Sequence, residues 1–185
     1  GRMLAQALTG TPGHVNSTAA AVPLMLEEIP VTQLEEGDHL ITNDPWLASG
    51  HLHDVTILSP VFRDGEAIGF FACTCHQLDI GGRGQGPDAT SVFEEGLAIP
   101  VLKLVKKGVV NAELLKIIRN NVRTPEEVEA DILSYVATNE VSATNLCLAL
   151  DNLKINNLEK IGDEIIKRSR SSMLEEIRKL PKRKA

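Results

Sequence analysis

Two short segments of this chain carry the residue types that hold metal ions: Gly50-His51-Leu52-His53-Asp54 and Cys75-His76-Gln77-Leu78-Asp79. Imidazole nitrogens and carboxylate oxygens are the donors that bind Zn²⁺, Mn²⁺ or Fe²⁺, and three such donors leave coordination positions open for water or substrate. A His-x-His-Asp run alone is as readily a polar rim; the sequence between the two segments is what gives it weight. Val55 to Phe62 and Ala67 to Cys75 are apolar, β-rich runs joined at Arg63-Asp64-Gly65-Glu66, and a central Asp-Gly is the strongest short-range hairpin signal. The two segments are therefore expected to meet at the base of one hairpin. If Asp64-Gly65 forms a two-residue turn, His53 stands opposite His76 and Asp54 opposite Cys75. A three-residue loop would instead set Asp54 opposite His76 and turn the side chains to the other face. Ser49 and Ser59 lie near His51 and Asp54, but neither sits in a Gly-x-Ser-x-Gly elbow, which argues against serine-nucleophile chemistry.

The elements that must position these residues are bounded by composition. The 185 residues fit one domain of ordinary size, and an apolar fraction of 43% suffices for a core. Net charge is −6 and aromatic residues make up 3%, so the basic footprint and stacking residues of nucleic-acid binding are missing. Basic residues gather near the C-terminus, from Lys167 to Lys184, as in a solvated helix end, where cations suit the helix dipole. No apolar run approaches the length of a membrane span and no signal sequence is evident, which leads to the expectation of a cytoplasmic protein with no membrane partner. Cys73, Cys75 and Cys147 are expected to be reduced, with Cys75 either a buried small hydrophobe or a neighbour of the metal.

Along the chain, all five histidines fall between His14 and His76, whereas helix-forming periodicity dominates after Pro125. The expected fold is α+β: a β-rich metal-site region over 1–110 built on the antiparallel hairpin, then a helical region over 111–185 with two long antiparallel helices, the two forming one compact unit. Met3 to Leu8 reads as an edge strand, and Asn16 or Ser17 as the cap of a short helix carrying Ala19 to Leu26, weakened by Pro23. His39 to Thr42 reads as a strand entering the turn-forming Asn43-Asp44-Pro45-Trp46. Ile80 to Asp88 is a glycine-rich loop: Gly81 and Gly82 permit close backbone approach to a ligand, and Arg83 can pair with a carboxylate or phosphate, or the loop is a connector. Its glycine spacing fits neither a Walker loop nor a dinucleotide fingerprint. Ser91 to Glu95 suggests a helical turn, and Ile99 to Val105 a strand ended by Lys106-Lys107-Gly108.

Asn111 is placed to cap a helix ending near Arg123. Thr124-Pro125-Glu126-Glu127 then combines an N-cap threonine, proline at N1 and a capping-box glutamate. Val128, Ile132, Tyr135, Asn139, Ala143, Leu146, Leu150 and Leu153 lay one stripe along the helix that follows. Asn139 interrupts it, as a satisfied core polar residue or a contact for a partner. A last helix carries Ile161, Ile165, Met173, Ile177 and Leu180, burying its face on the preceding helix or on another subunit.

Several motifs in order resemble the hydantoinase B family, which includes subunits of ATP-dependent amidohydrolases and ketone carboxylases. They are Gly1-Arg2-Met3-Leu4-Ala5-Gln6, Ile41-Thr42-Asn43-Asp44-Pro45-Trp46 after Gly37-Asp38, Gly50-His51-Leu52-His53-Asp54-Val55, Thr74-Cys75-His76 through Gly81-Gly82, Phe93-Glu94-Glu95-Gly96-Leu97 with Ile99-Pro100, and Asn121-Val122-Arg123-Thr124-Pro125-Glu126. Many members have proline at the place of His53 and histidine at that of Gln77; Thr-Cys-His-Gln with Asp79 resembles the acetone carboxylase branch. The resemblance implies His51, Asp54 and His76 as ligands of a divalent metal (Zn or Mn, or Fe), with His53 outside the ligand set. It leaves Asp79, Asn43 and Asp44 as candidates for catalytic support, orienting the ligand imidazoles. It also implies ATP on a hydantoinase A-like partner subunit rather than on this chain, a cyclic amide or a ketone as substrate, and an oligomeric assembly. Family subunits are longer, so the chain is expected to be a fragment or a shortened homologue. A non-catalytic assembly module is the reading of another class.

Overall fold

The computed structural model describes residues 1–8, 10–48 and 50–181. Helix α1 (Pro12–Glu28) and a 3-10 turn (Val31–Gln33) precede β1 (His39–Thr42), β2 (Asp54–Arg63) and β3 (Glu66–His76). Then come α2 (Val92–Glu95), β4 (Leu102–Lys106), β5 (Val109–Val110), α3 (Ala112–Asn121), α4 (Pro125–Asn152) and α5 (Leu158–Lys179). The strands form one antiparallel sheet in the order β3-β2-β1-β4-β5. An antiparallel sheet followed by helices is the expected α+β class. Among the described residues no helix is long and apolar enough to cross a membrane.

Both faces of the sheet are covered, which explains why β2 is apolar without alternation. Ile41, Val55 and Ile57 join Leu115, Ile118, Val128 and Ile132 in a core under α3 and α4. One residue along each strand, Leu40 and Leu58 join Val22 and Met25 in a second core under α1. The period-2 alternation of strand side chains thus feeds two cores instead of one core and solvent.

The hairpin turn is the two-residue one. Asp64 and Gly65 take positive φ values of 54° and 83°, as a type I′ turn requires, and Arg63 pairs with Glu66. The register expected from that turn nevertheless fails farther down. Phe62 pairs with Ala67 but Val61 with Gly69, so Ile68 is an extra residue in β3. This bulge shifts the remaining ladder by one position, and Asp54 ends opposite His76, with Val55 opposite Cys75. Cys75 consequently shares the face of Val55 and Ile57 under α4, the opposite side from Asp54.

Other expectations need correction. Residues 3–8 form no strand. The run has two alanines and no β-branched residue; Leu4 lies against Gly162 of α5, and Arg2 pairs with Asp163 at 2.7 Å. Helix α1 begins at Pro12, with Thr11 at the N-cap, rather than at Asn16 or Ser17, because proline's fixed φ suits the first helical position. The helix continues past Pro23. Ile99 is outside β4, since Pro100 cannot donate to a ladder, and Lys107-Gly108 turns the chain into the unforeseen β5.

Asn111 caps α3 by accepting from the Leu114 amide at 3.0 Å. Thr124 and Pro125 do start α4, but the capping box does not form: with ψ at 68° the Thr124 side chain makes no cap hydrogen bond, and its hydroxyl is buried without a partner among the described residues. Val128, Ile132, Val136, Asn139 and Leu150 are buried along α4, whereas Leu153 is exposed. Asn139 is a satisfied core residue. Its amide donates to Ser59 Oγ at 2.9 Å and to the Phe71 carbonyl at 3.4 Å, tying α4 to β2 and β3. Asn139→Ala should lower stability by about 1–3 kcal/mol, the range for losing a buried hydrogen-bond partner, as a drop in the urea midpoint at unchanged slope.

Helix α4 spends its apolar face on β2, β3 and α3. In α5, Ile161 and Ile165 are half-buried while Met173, Ile177 and Leu180 are exposed, so the distal face of α5 is not buried on α4. Lys167, Arg168, Arg170, Arg178 and Lys179 are solvated as expected; Lys182, Arg183 and Lys184 lie outside the described residues.

Candidate metal centre

The first residue of β2 and the last of β3 are cross-strand partners, and this brings the two segments together. Asp54, whose side chain is fully buried, accepts from His51 Nε2 at 2.7 Å through Oδ2 and from His76 Nδ1 at 2.9 Å through Oδ1. Donor atoms of His51, Asp54 and His76 all lie within 4.8 Å of one another. The side chains of His51 and His76 remain 29% and 37% exposed, so the cluster is open on one side.

Two further imidazoles surround it. His53 is buried and stacks on His76 with ring centroids 5.3 Å apart and planes 10° apart. Two nearly parallel, stacked rings do not aim nitrogens at one point, so His53 is beside the donor triangle and not part of it. Burial, then the nearby His76 and His51, lowers its pKa and holds it neutral; its Nε2 is buried without a partner among the described residues. The other imidazole lies outside both segments: His14, in the first turn of α1, reaches Asp54 Oδ2 at 2.9 Å, and its turn-rich sequence surroundings carry no sign of this.

The loop carrying His51 is held by Asn43. Its amide donates to the carbonyls of Leu52 at 2.7 Å and Leu97 at 2.9 Å, while its Oδ1 accepts from the Ile99 amide at 2.6 Å. Glu95, which no sequence signal distinguished from its neighbours, accepts from the Leu52 amide at 2.9 Å. The Asn43 side chain thus orients backbone around the centre rather than an imidazole. Asp44 accepts from the Trp46 amide at 2.8 Å, an Asx turn, and leaves Trp46 88% exposed beside the loop. Ser59 is buried between His39 and Asn139, away from any approach by substrate; Ser49 lies outside the described residues.

The model of the hydantoinase B/oxoprolinase family matches residues 1–185. The chain belongs to that family. It is similar to an uncharacterized protein of Methanocaldococcus jannaschii, 35% identical over 168 residues, covering 88% of this chain and 28% of the relative. The caprolactamase subunit beta of Pseudomonas jessenii is 29% identical over 136 residues, covering 72% of this chain and 23% of the relative. The crystal structure of the ATP-dependent caprolactamase from Pseudomonas jessenii superposes with a TM-score of 0.83 at 26% identity, over 92% of this chain and 30% of that one. The chain therefore spans about a quarter of the length of these relatives.

In this hydantoinase B/oxoprolinase chain the glycine-rich loop packs against protein backbone. A Cβ on Gly81 would strike the Asn121 carbonyl, and one on Gly82 the backbone of Glu94 and Glu95. Both glycines have positive φ, 83° and 57°, so space and conformation alike call for glycine. Arg83 donates to Glu94 at 3.1 Å and to the Asp88 carbonyl at 3.3 Å; it is committed to an ion pair that ties the loop to α2. Asp79 accepts from the amides of Gly81 and Arg123 and from the Arg123 guanidinium. Burial pushes its carboxyl up, but these donors outweigh burial and hold it below the ordinary value. Its hydrogen bonds anchor the loop to the start of α4. From the same loop Gln85 contacts His76 Nε2 at 3.1 Å, the one point where the loop touches the histidine cluster through a described hydrogen bond.

Proposed function

We propose that this chain supplies the metal centre of a hydantoinase B-type subunit, in an ATP-dependent amidohydrolase that opens a cyclic amide together with a hydantoinase A-like, ATP-binding partner. The observation that carries the reading is the donor triangle of His51, Asp54 and His76 at the hairpin base. Two imidazoles and one carboxylate fit a divalent cation such as Zn²⁺ or Mn²⁺, or Fe²⁺, with positions left over for a substrate oxygen or water. A cation held there would supply Lewis-acid polarisation of a carbonyl or activation of water. The chain's own residues do the positioning: Asn43 and Glu95 fix the His51 loop, and the β2–β3 ladder fixes Asp54 against His76. Support for the amide class comes from the family itself and from the caprolactamase relative, whose name as a beta subunit also supports a partner.

The assay combines the chain with its ATP-binding subunit, ATP and Mn²⁺ or Zn²⁺. It follows ADP release and ring opening of hydantoin, 5-oxoproline and caprolactam, with acetone plus bicarbonate as the competing reaction. ATP-dependent ring opening that disappears in His51→Ala and His76→Ala is expected. Carboxylation of the ketone instead would favour the reading suggested by Thr74-Cys75-His76-Gln77 and Asp79. Bound metal and turnover that survive both substitutions would leave the chain an assembly module.

A further inference from the structure

We infer that His14 is a positioning residue of the metal centre, a fourth imidazole that orients the Asp54 carboxylate and couples α1 to cation binding; this rests on the metal centre proposed above. The donor atoms within 4.8 Å of one another are those of His51, Asp54 and His76. His14 is not among them and meets that group at Asp54, through the 2.9 Å contact of its Nε2 with Oδ2. Asp54 Oδ2 also receives His51 and Oδ1 receives His76. Were those two imidazoles to turn their nitrogens to a cation, the His14 contact with the buried carboxylate would remain. Such an outer partner fixes the carboxylate's rotation and thereby which oxygen faces the ion.

The helix is registered on the sheet for this contact. Thr18, four residues after His14, meets Thr74 Oγ1 at 2.7 Å, and Thr74 meets Thr56 at 2.8 Å. Thr56 and Thr74 are a cross-strand pair two residues from the Asp54–His76 pair. Four residues of helix rise about 6 Å, close to the roughly 6.7 Å spanned by two residues of antiparallel strand. One turn of α1 therefore matches one repeat of the hairpin, with His14 above Asp54 and Thr18 above Thr74. The start of α1 at Pro12, rather than later, is what puts His14 on this face.

The test uses Co²⁺ as probe, with affinity measured by competition against a chelator and geometry read from the visible absorption of the bound ion. Wild type, His14→Ala, His14→Gln and Thr18→Val are compared. His14→Ala should weaken Co²⁺ binding about 10–100-fold and alter the absorption of the bound ion. His14→Gln, whose amide can donate near the position of Nε2, should recover most of the affinity. Thr18→Val, which loosens the helix carrying His14 but leaves the imidazole in place, should lose clearly less affinity than His14→Ala. Equal affinity and spectrum in wild type and His14→Ala overturn the inference alone. Equal losses in His14→Ala and Thr18→Val overturn it too, by assigning the effect to helix docking. A wild-type chain that binds no Co²⁺ overturns the metal centre and the inference with it.

Discussion

Asp54→Asn should leave a folded protein whose affinity for Mn²⁺ or Zn²⁺ has fallen by more than about 100-fold, beyond the loss that follows removal of an outer hydrogen-bond partner. The substitution keeps the volume and planarity of the side chain, so the fully buried site at the end of β2 is refilled without a cavity. It removes the negative charge on which His14, His51 and His76 converge. A neutral amide oxygen is a poor ligand for a dication already facing two neutral imidazoles, and the amide nitrogen is none. Calorimetric titration of the two proteins with metal, at matched pH, reads the difference. Unchanged affinity in Asp54→Asn would show that the carboxylate is only a hydrogen-bond acceptor for the surrounding histidines.

Ile132→Ala carries the largest expected loss of stability, about 2–5 kcal/mol. Ile132 has no exposed surface and lies in the core formed by Ile41, Val55 and Ile57 of the sheet with Leu115 and Ile118 of α3. Truncation both removes buried apolar area and opens a void between a helix and a sheet that are pinned elsewhere by Asn139, so the walls have little freedom to close. Urea denaturation measures the effect. Metal affinity in the variant should match wild type, because this core is on the face of the sheet opposite Asp54. A loss below about 1 kcal/mol would mean that α4 is not fastened to the sheet as described.

Much of the hairpin was legible. Asp64-Gly65 announces its turn because few other residue pairs accept two consecutive positive φ values, and that turn is enough to bring His51, Asp54 and His76 to one place. The register at the site was harder to read: the one signal of the bulge at Ile68 is the neighbouring Gly69, an isolated glycine inside a strand run, which marks a bulge or a close backbone approach alike. That one extra residue is what sets Asp54, rather than His53, opposite His76 and turns Cys75 toward α4. His14 was hidden for a different reason. Thr9-Gly10-Thr11-Pro12-Gly13 reads as turn chemistry, and only the packing of α1 on the sheet reveals that Pro12 opens a helix aimed at Asp54. Gly81, Gly82 and Arg83 show the converse. A glycine-rich stretch with an arginine suggests a ligand cradle, yet the backbone it must admit is that of Asn121, Glu94 and Glu95, and sequence does not distinguish close approach to a ligand from close approach to the protein itself.

The central claim is a divalent cation held between both strands of the hairpin. Anomalous diffraction from crystals of the chain grown with Mn²⁺ or Zn²⁺, recorded at the metal's absorption edge, tests it most directly. The account predicts one peak about 2.0–2.2 Å from a nitrogen of His51, a nitrogen of His76 and an oxygen of Asp54. Maps with no peak there, and the imidazoles of His51 and His76 still hydrogen-bonded to Asp54 at saturating metal, would contradict it.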